Sequence, residues 1–203
     1  MTIEKGEPWG APGPLPPDAP TVRTDRELAA LVEAQPQGAA PPIAGLAGGD
    51  LHTTVGGPGV RSRLGGPDTM RLPIDVGHVE LDGVAHRFVA HVVAHRGWWR
   101  GPILIVANAQ YVGTWNVAPR AHPGDGLLDA VLVDDMSLRD RLVARRRVVT
   151  GSHLPHPAIS VRRRADHEWT FERPMRVRLD GVDVGRASHI SVRVEPDAAV
   201  VVV

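Results

Sequence analysis

Apolar and polar residues follow two different rhythms along this chain, and the change falls near residue 70. Before it the pattern is short and often interrupted. Residues 1–20 place Trp9-Gly10, Pro12, Gly13-Pro14, Pro16-Pro17 and Pro20 so closely that regular helix is forbidden and extended backbone favoured. Thr24 with Glu27 three residues on reads as a capping box, and Leu28, Leu31 and Val32 form one apolar stripe. That spacing predicts a short helix ending before Pro36. Residues 41–46 predict a short strand entering the glycine-rich loop Gly48-Gly49-Asp50. A short segment, 51–55, follows and is closed by Gly56-Gly57-Pro58-Gly59.

From Met70 the rhythm is that of strands. Residues 71–80 alternate loosely, and Asp82-Gly83 predicts a hairpin into a strand over 84–95. There Val84, His86, Phe88, Ala90, Val92 and Ala94 share one face. Gly97-Trp98-Trp99-Arg100-Gly101 is a connector before a buried strand at 102–109. Pro123-Gly124 and Asp125-Gly126 are turn dipeptides, and the run from Leu127 to Val133 has the length and branching of a buried strand. A helix is expected from Ser137 to about Val149, stopped by Gly151. Strands are expected at 158–164, 168–172, 175–179, 189–194 and 198–203, with Asp180-Gly181 and Gly185 marking the last turns. Strands dominate, so the expected fold class is mainly β (α+β), a β-sandwich-like domain over 70–203. A small, truncated α/β portion over 21–69 and an extended segment over 1–20 precede it.

Composition narrows the function classes. Of 203 residues, 42% are hydrophobic and 23% charged, as in an ordinary soluble domain. No run is long enough to span a bilayer, and the first residues lack the apolar core of a signal peptide, so a cytoplasmic location is expected. There is no cysteine, hence no disulfide or thiolate metal site. The formal net charge of zero gives no reason to expect nucleic-acid binding. Lys5 is the only lysine, a bias that goes with the high Ala, Gly and Pro content.

Several residue groups carry candidate chemistry. Asp125, at the mouth of a strand beside carbonyls freed by a turn, can hold a hard cation or brace the turn. Trp98-Trp99 between Arg96 and Arg100 suits a lipid headgroup interface; alternatively one ring fills the core. His91 and His95 share a strand face but stand about 13 Å apart, too far to share one zinc. His153 and His156 lie in a loop without a helical HExxH context, so hydrogen-bonded or surface histidines are expected. Arg145-Arg146-Arg147 complements a helix C-terminus.

Asn108, Gly113, Ala118-Pro119-x-Ala121 and Asp125-Gly126-Leu127-Leu128-Asp129 together resemble the signature of diacylglycerol kinase and sphingosine kinase-like lipid kinases. Gly151-Ser152-His153 with Pro157, Leu179-Asp180-Gly181, and Val194-Glu195-Pro196 with the closing Val200 to Val203 extend the resemblance to the end of the chain. It implies the β-rich second domain of that family behind a shortened remnant of the nucleotide domain. It also implies a structural Mg²⁺ site at Asp125 with the carbonyls of His122 and Leu127. The family's GGDGT nucleotide loop falls on Arg23-Thr24-Asp25-Arg26-Glu27-Leu28, which lacks all three glycines and so argues against ATP. Residues 43–56 resemble the segment after that loop and keep Asp50. Gly48, Gly49 and Asp50 are the candidate replacement for a phosphate loop. The catalytic glutamate of the family's DGE turn is Val182 here, which cannot accept a proton, leaving Asp180 and Asp183 as candidate acids in that turn. Two functions follow as expectations. One is a pseudokinase that holds a lipid or a partner, with peripheral membrane contact through Trp98 and Trp99 and apolar surface that a homodimer would cover. The other is an active ATP-dependent lipid kinase with a rewired base.

Overall fold

The computed structural model describes residues 9–36, 38–56, 64, 68–99 and 101–203; the Gly57-Pro58-Gly59 turn, Lys5 and Arg100 lie outside them. The chain opens with β1 (Ala11–Pro12), β2 (Thr21–Val22), α1 (Asp25–Glu33), β3 (Ile43–Leu46) and α2 (Gly49–Gly56). Strands then take over, with β4 (Met70–Leu81), β5 (Val84–Phe88), β6 (His91–His95), β7 (Ile103–Ala107), β8 (Tyr111–Val112), β9 (Trp115–Asn116) and β10 (Leu128–Val133). After α3 (Leu138–Val148) come β11 (Ile159–Arg164), β12 (Asp166–Leu179) and β13 (Val182–Val202).

Eleven strands form one largely antiparallel sheet in the order β1-β4-β13-β12-β6-β7-β10-β11, with β5 on β4, β3 on β13 and β2 on β3. Strands β8 and β9 pair separately. The long β13 joins the two halves. Its first part pairs with β12, its later part with β4, and Val200 to Val202 pair in parallel with β3. The fold is therefore mainly β and sandwich-like, as the alternation predicts, and the N-terminal strands are hydrogen-bonded into the same sheet.

Three apolar clusters hold it together. Phe88, Leu104, Leu128, Met175 and Ile190 fill the sandwich interior. A side chain at Gly77 would meet the Phe88 ring at 2.1 Å, so β4 needs glycine there to let the ring in. Leu28, Leu46, Leu51, Ile74 and Val76 join α1 and α2 to the sheet. Ile105, Val131, Val117 and Ala118 form an outer cluster against which Val148 of α3 packs.

Local chemistry explains the agreements. Thr24 Oγ1 caps α1 by accepting the Glu27 amide at 3.2 Å, while the Glu27 carboxylate reaches one residue further back than a capping box expects, to the Arg23 amide at 2.7 Å. Asp82-Gly83 (φ 48° and 89°) and Asp180-Gly181 (φ 47° and 81°) have the paired positive φ of two-residue hairpins. Residues 51–55, read from the sequence only as a short segment, are helical, within α2. Two expectations need correction. The strand expected over 84–95 is two strands, because the amides of Val89 and Ala90 turn to the Asp180 carboxylate instead of a neighbouring strand. Finally, the separate strands expected at 168–172 and 175–179 run together as β12, and those at 189–194 and 198–203 run together within β13. Register shifts between Thr170 and Met175 and between Glu195 and Ala199 absorb Pro174 and Pro196. Among the described residues no helix is long and apolar enough to cross a membrane.

Candidate functional site

Helices α1 and α2 meet the sheet at a buried polar junction. Asp25, the first residue of α1 and 6% exposed, accepts the amides of Asp50 (2.7 Å) and Leu51 (3.0 Å) at the N-terminus of α2. The preceding loop is fitted around it. At Gly49 (φ +95°) a Cβ would stand 2.5 Å from the Asp25 carboxylate, and at Gly48 it would meet the Arg23 carbonyl oxygen at 2.5 Å. Asp50 in turn bonds His91 Nε2 at 2.7 Å and accepts the Gly113 amide at 2.7 Å. Thr54, one turn along α2, accepts the Gln110 amide at 2.9 Å, so α2 is clamped along the segment that follows β7. Asp180 completes the group by accepting the amides of Val89, Ala90 and His91 at 2.8–3.1 Å.

Burial sets the acid–base character of these groups. It lifts the Asp25 carboxyl to about 6, against the two amide bonds it accepts. It also raises Asp180, against the nearby His91 and the three amides. Burial works against a charged His91 as well. There the bond to Asp50 and the charges of Asp180 and Asp25 outweigh it and hold the ring above its ordinary value. His91 Nδ1 has no partner among the described residues.

The structure thus brings Asp50 and Asp180 together, through His91 and Asp25, and sets Asp183 apart from them. Asp183 lies beyond the hairpin turn, bonded to the Gly185 amide and the Arg176 guanidinium, which hold its carboxyl below the ordinary range. Sequence reasoning did not assign a site role to Asp25 or His91. Asp25 had a signal, standing where the Asp of GGDGT would fall; His91 had none beyond its strand.

The turn before β10 is braced internally. Asp125 accepts the Leu127 amide at 3.0 Å and pairs with Arg163, whose Nε also stands 3.5 Å from Asp129. His122 Nδ1 accepts the Gly124 amide at 3.3 Å, and its ring meets Trp9 edge-on at 4.4 Å. Asp75 accepts the Gly126 and Asp197 amides, and burial lifts its carboxyl to about 6, as it does that of Asp129. The positive charge beside Asp125 is therefore a guanidinium. Among the described residues no group of three or more His, Cys, Asp or Glu side chains is arranged to hold a metal ion.

A cavity of about 410 Å³ lies between β7, β10 and α3. Its walls are mostly apolar, including Ile105, Val131, Val148 and Trp115. Trp98 and Trp99, 41% and 44% exposed, stand at its edge, and Trp98 stacks on His95 at 4.3 Å. The Arg145 guanidinium sits 5.5 Å from the Trp99 ring and 5.7 Å from the Trp115 ring, a cation–π arrangement. Arg141 reaches back from α3 to the carbonyls of Trp98 (3.3 Å) and Gly101 (2.5 Å), tying the tryptophan loop to the helix.

Comparison with known proteins agrees with this architecture. Residues 75–203 match the YegS C-terminal NAD kinase beta sandwich-like domain. Three solved structures from Bacillus anthracis str. Sterne, a diacylglycerol kinase and two putative diacylglycerol kinases, superpose with TM-scores of 0.55, 0.56 and 0.58. They share 13%, 14% and 12% identity, a likeness of fold alone. The match covers 79% of this chain and 66%, 68% and 69% of theirs, so the chain spans about two thirds of their length. No curated protein matches the chain in sequence. With that domain spanning residues 75–203, the chain belongs to the family of the YegS C-terminal NAD kinase beta sandwich-like domain, and in fold it is similar to the diacylglycerol kinases above.

Proposed function

We propose that this protein is a ligand-holding member of its family, one that keeps a lipid-binding face and does not transfer phosphate. The observation that carries this reading is the Asp25 carboxylate seated on the first amides of α2. A helix N-terminus behind a glycine loop is an anion site because its amides lack partners within the helix. Here the amides of Asp50 and Leu51 already have one, and Gly49 faces the same carboxylate. With a carboxyl value of about 6, Asp25 is ionised at neutral pH and repels an approaching phosphate.

The rest of the phosphoryl-transfer equipment is converted in the same way. Asp183 is bonded to Arg176 and the Gly185 amide, Val182 offers no base, and in this reading Arg163 takes the place of Mg²⁺ beside Asp125. The cavity beneath α3 lies within the volume range of small-molecule sites, roughly 300–1,000 Å³, and its apolar walls suit a lipid or lipid-like ligand. Trp98 and Trp99 at its edge would meet a membrane surface from which such a ligand is drawn.

Isothermal titration with ATP and Mg²⁺ tests the reading directly. No binding is expected, whereas binding in the micromolar range would restore the kinase. In parallel, tryptophan fluorescence should shift when the protein meets phosphatidylcholine vesicles.

A further inference from the structure

Arg141 is nearly enclosed, 6% exposed, yet no counter-ion for it stands among the described residues. Its guanidinium donates to two neutral carbonyls, those of Trp98 and Gly101. Its Nε is buried and has no hydrogen-bond partner. A cation withdrawn from water and given only neutral partners is costly to keep, and an unused donor on it adds to that cost. Arg141 also lines the cavity beneath α3, where no acidic side chain is present; the ionisable groups there are Arg141, Arg145 and His153. Arg145, one turn along the same helix, carries a second positive charge over Trp99 and Trp115, with no acidic partner among the described residues.

We infer that the cavity takes a single-chain amphiphile with an acidic head, a fatty carboxylate, whose head pairs with the Arg141 guanidinium while its chain lies along the apolar walls. The inference rests on the lipid-holding reading above and names the class of ligand. Charge complementarity selects an anion over a neutral alcohol or a cationic amine. Two of the five guanidinium N–H groups are used within the chain, and the single positive charge of Arg141 suits a carboxylate, with one charge and two oxygens, better than a phosphate monoester, which brings more charge and three oxygens to satisfy. His153 also lines the cavity, and burial holds its ring toward the neutral form, so Arg141 and Arg145 are the cations available to an acidic head.

Calorimetric titration of the full chain with laurate, dodecanol, dodecyl phosphate and dodecyltrimethylammonium, each below its micellar concentration, tests this. Laurate should bind more tightly than dodecanol and the ammonium by about ten- to a hundredfold, the factor expected of a hydrogen bond to a charged group. In Arg141→Gln that preference should collapse. Because Arg141 also ties down the tryptophan loop, a second measurement uses the wild-type protein alone: the carboxyl ¹³C signal of bound [1-¹³C]laurate, followed against pH. Its carboxyl value should fall on binding. An unchanged or raised value, or equal affinity for dodecanol, overturns the inference and leaves the lipid-holding reading in place. Tightest binding of dodecyl phosphate, or of the ammonium, overturns the carboxylate assignment. If none of the four binds, the lipid-holding reading falls as well.

Discussion

The junction around Asp50 and the cavity beneath α3 treat buried polar groups in opposite ways. At the junction the carboxylates of Asp25, Asp50 and Asp180 together accept seven bonds from within the chain, six from amides and one from His91. At the cavity Arg141 Nε has no partner among the described residues, and the walls around it are apolar. The three carboxylates, satisfied from within, have little left to offer a ligand, although His91 Nδ1 beside them has no partner among the described residues; at the cavity it is a cation that is left in an apolar space, and that calls for an anion. The difference teaches that charged residues at a family's expected site are not by themselves a sign of activity. What counts is whether their bonding capacity is already used.

The largest effect should come from breaking the closed side. Asp180→Ala strands three buried amides, those of Val89, Ala90 and His91, and should lower the unfolding free energy by about 3–5 kcal/mol in urea denaturation. A loss below about 1 kcal/mol would mean that the junction is not structural. Asp25→Ala should cost less, about 1–2 kcal/mol, the worth of a helix cap, which for a chain of this size is a drop of about 2–4 °C per kcal/mol. The same variant sharpens the comparison: with the amides of Asp50 and Leu51 freed, added inorganic phosphate should raise its melting temperature while leaving the wild-type protein unmoved.

A smaller effect is expected from pH. His91 is held above its ordinary value, with burial opposing and Asp50 favouring the charged ring. A raised folded value means that the native state binds the extra proton. The ring's contribution is therefore full below the unfolded value of about 6.5 and is lost as pH rises through the higher folded one. His91→Gln, which can still donate to Asp50, should thus be less stable than wild type by about 1 kcal/mol in mildly acidic buffer. The gap should close in alkaline buffer, and thermal melts that show a gap independent of pH would contradict the pairing.

Much of the fold could be read from local chemistry. The hairpins at Asp82-Gly83 and Asp180-Gly181 and the capped start of α1 depend on residues adjacent in sequence, and they stand where expected. What failed depends on distant partners. The break after β5 arises from Asp180, and Pro174 and Pro196 read as strand ends because a proline cannot donate to a ladder. Bulges in β12 and β13 carry the strands past them. The site shows the same division. The turn motif pointed to Asp125 and Asp180, whereas Arg141 could not be told from the other arginines of an Arg-rich helix, since only the fold sets it against the 98–101 loop.

On the open side a modest effect on stability is expected, and there the binding readout carries the weight. Trp98 and Trp99 are each more than two-fifths exposed and their indoles line an edge, not a core. Each side chain is nonetheless more than half covered, so replacing both with alanine gives up contacts as well as exposed surface. Trp98 gives up its stacking on His95 and Trp99 its place under Arg145, contacts worth about 0.5–1 kcal/mol each at exposed sites. The melting temperature should therefore move by only a few degrees. Binding to phosphatidylcholine vesicles should nevertheless be lost in a flotation assay, because the aromatic pair is the part of the cavity edge that can enter the headgroup region. Retained vesicle binding in a folded double variant would remove the membrane contact while leaving the cavity itself intact. The protein would then have to take its ligand from solution, and Arg141, not the tryptophans, would set its selectivity.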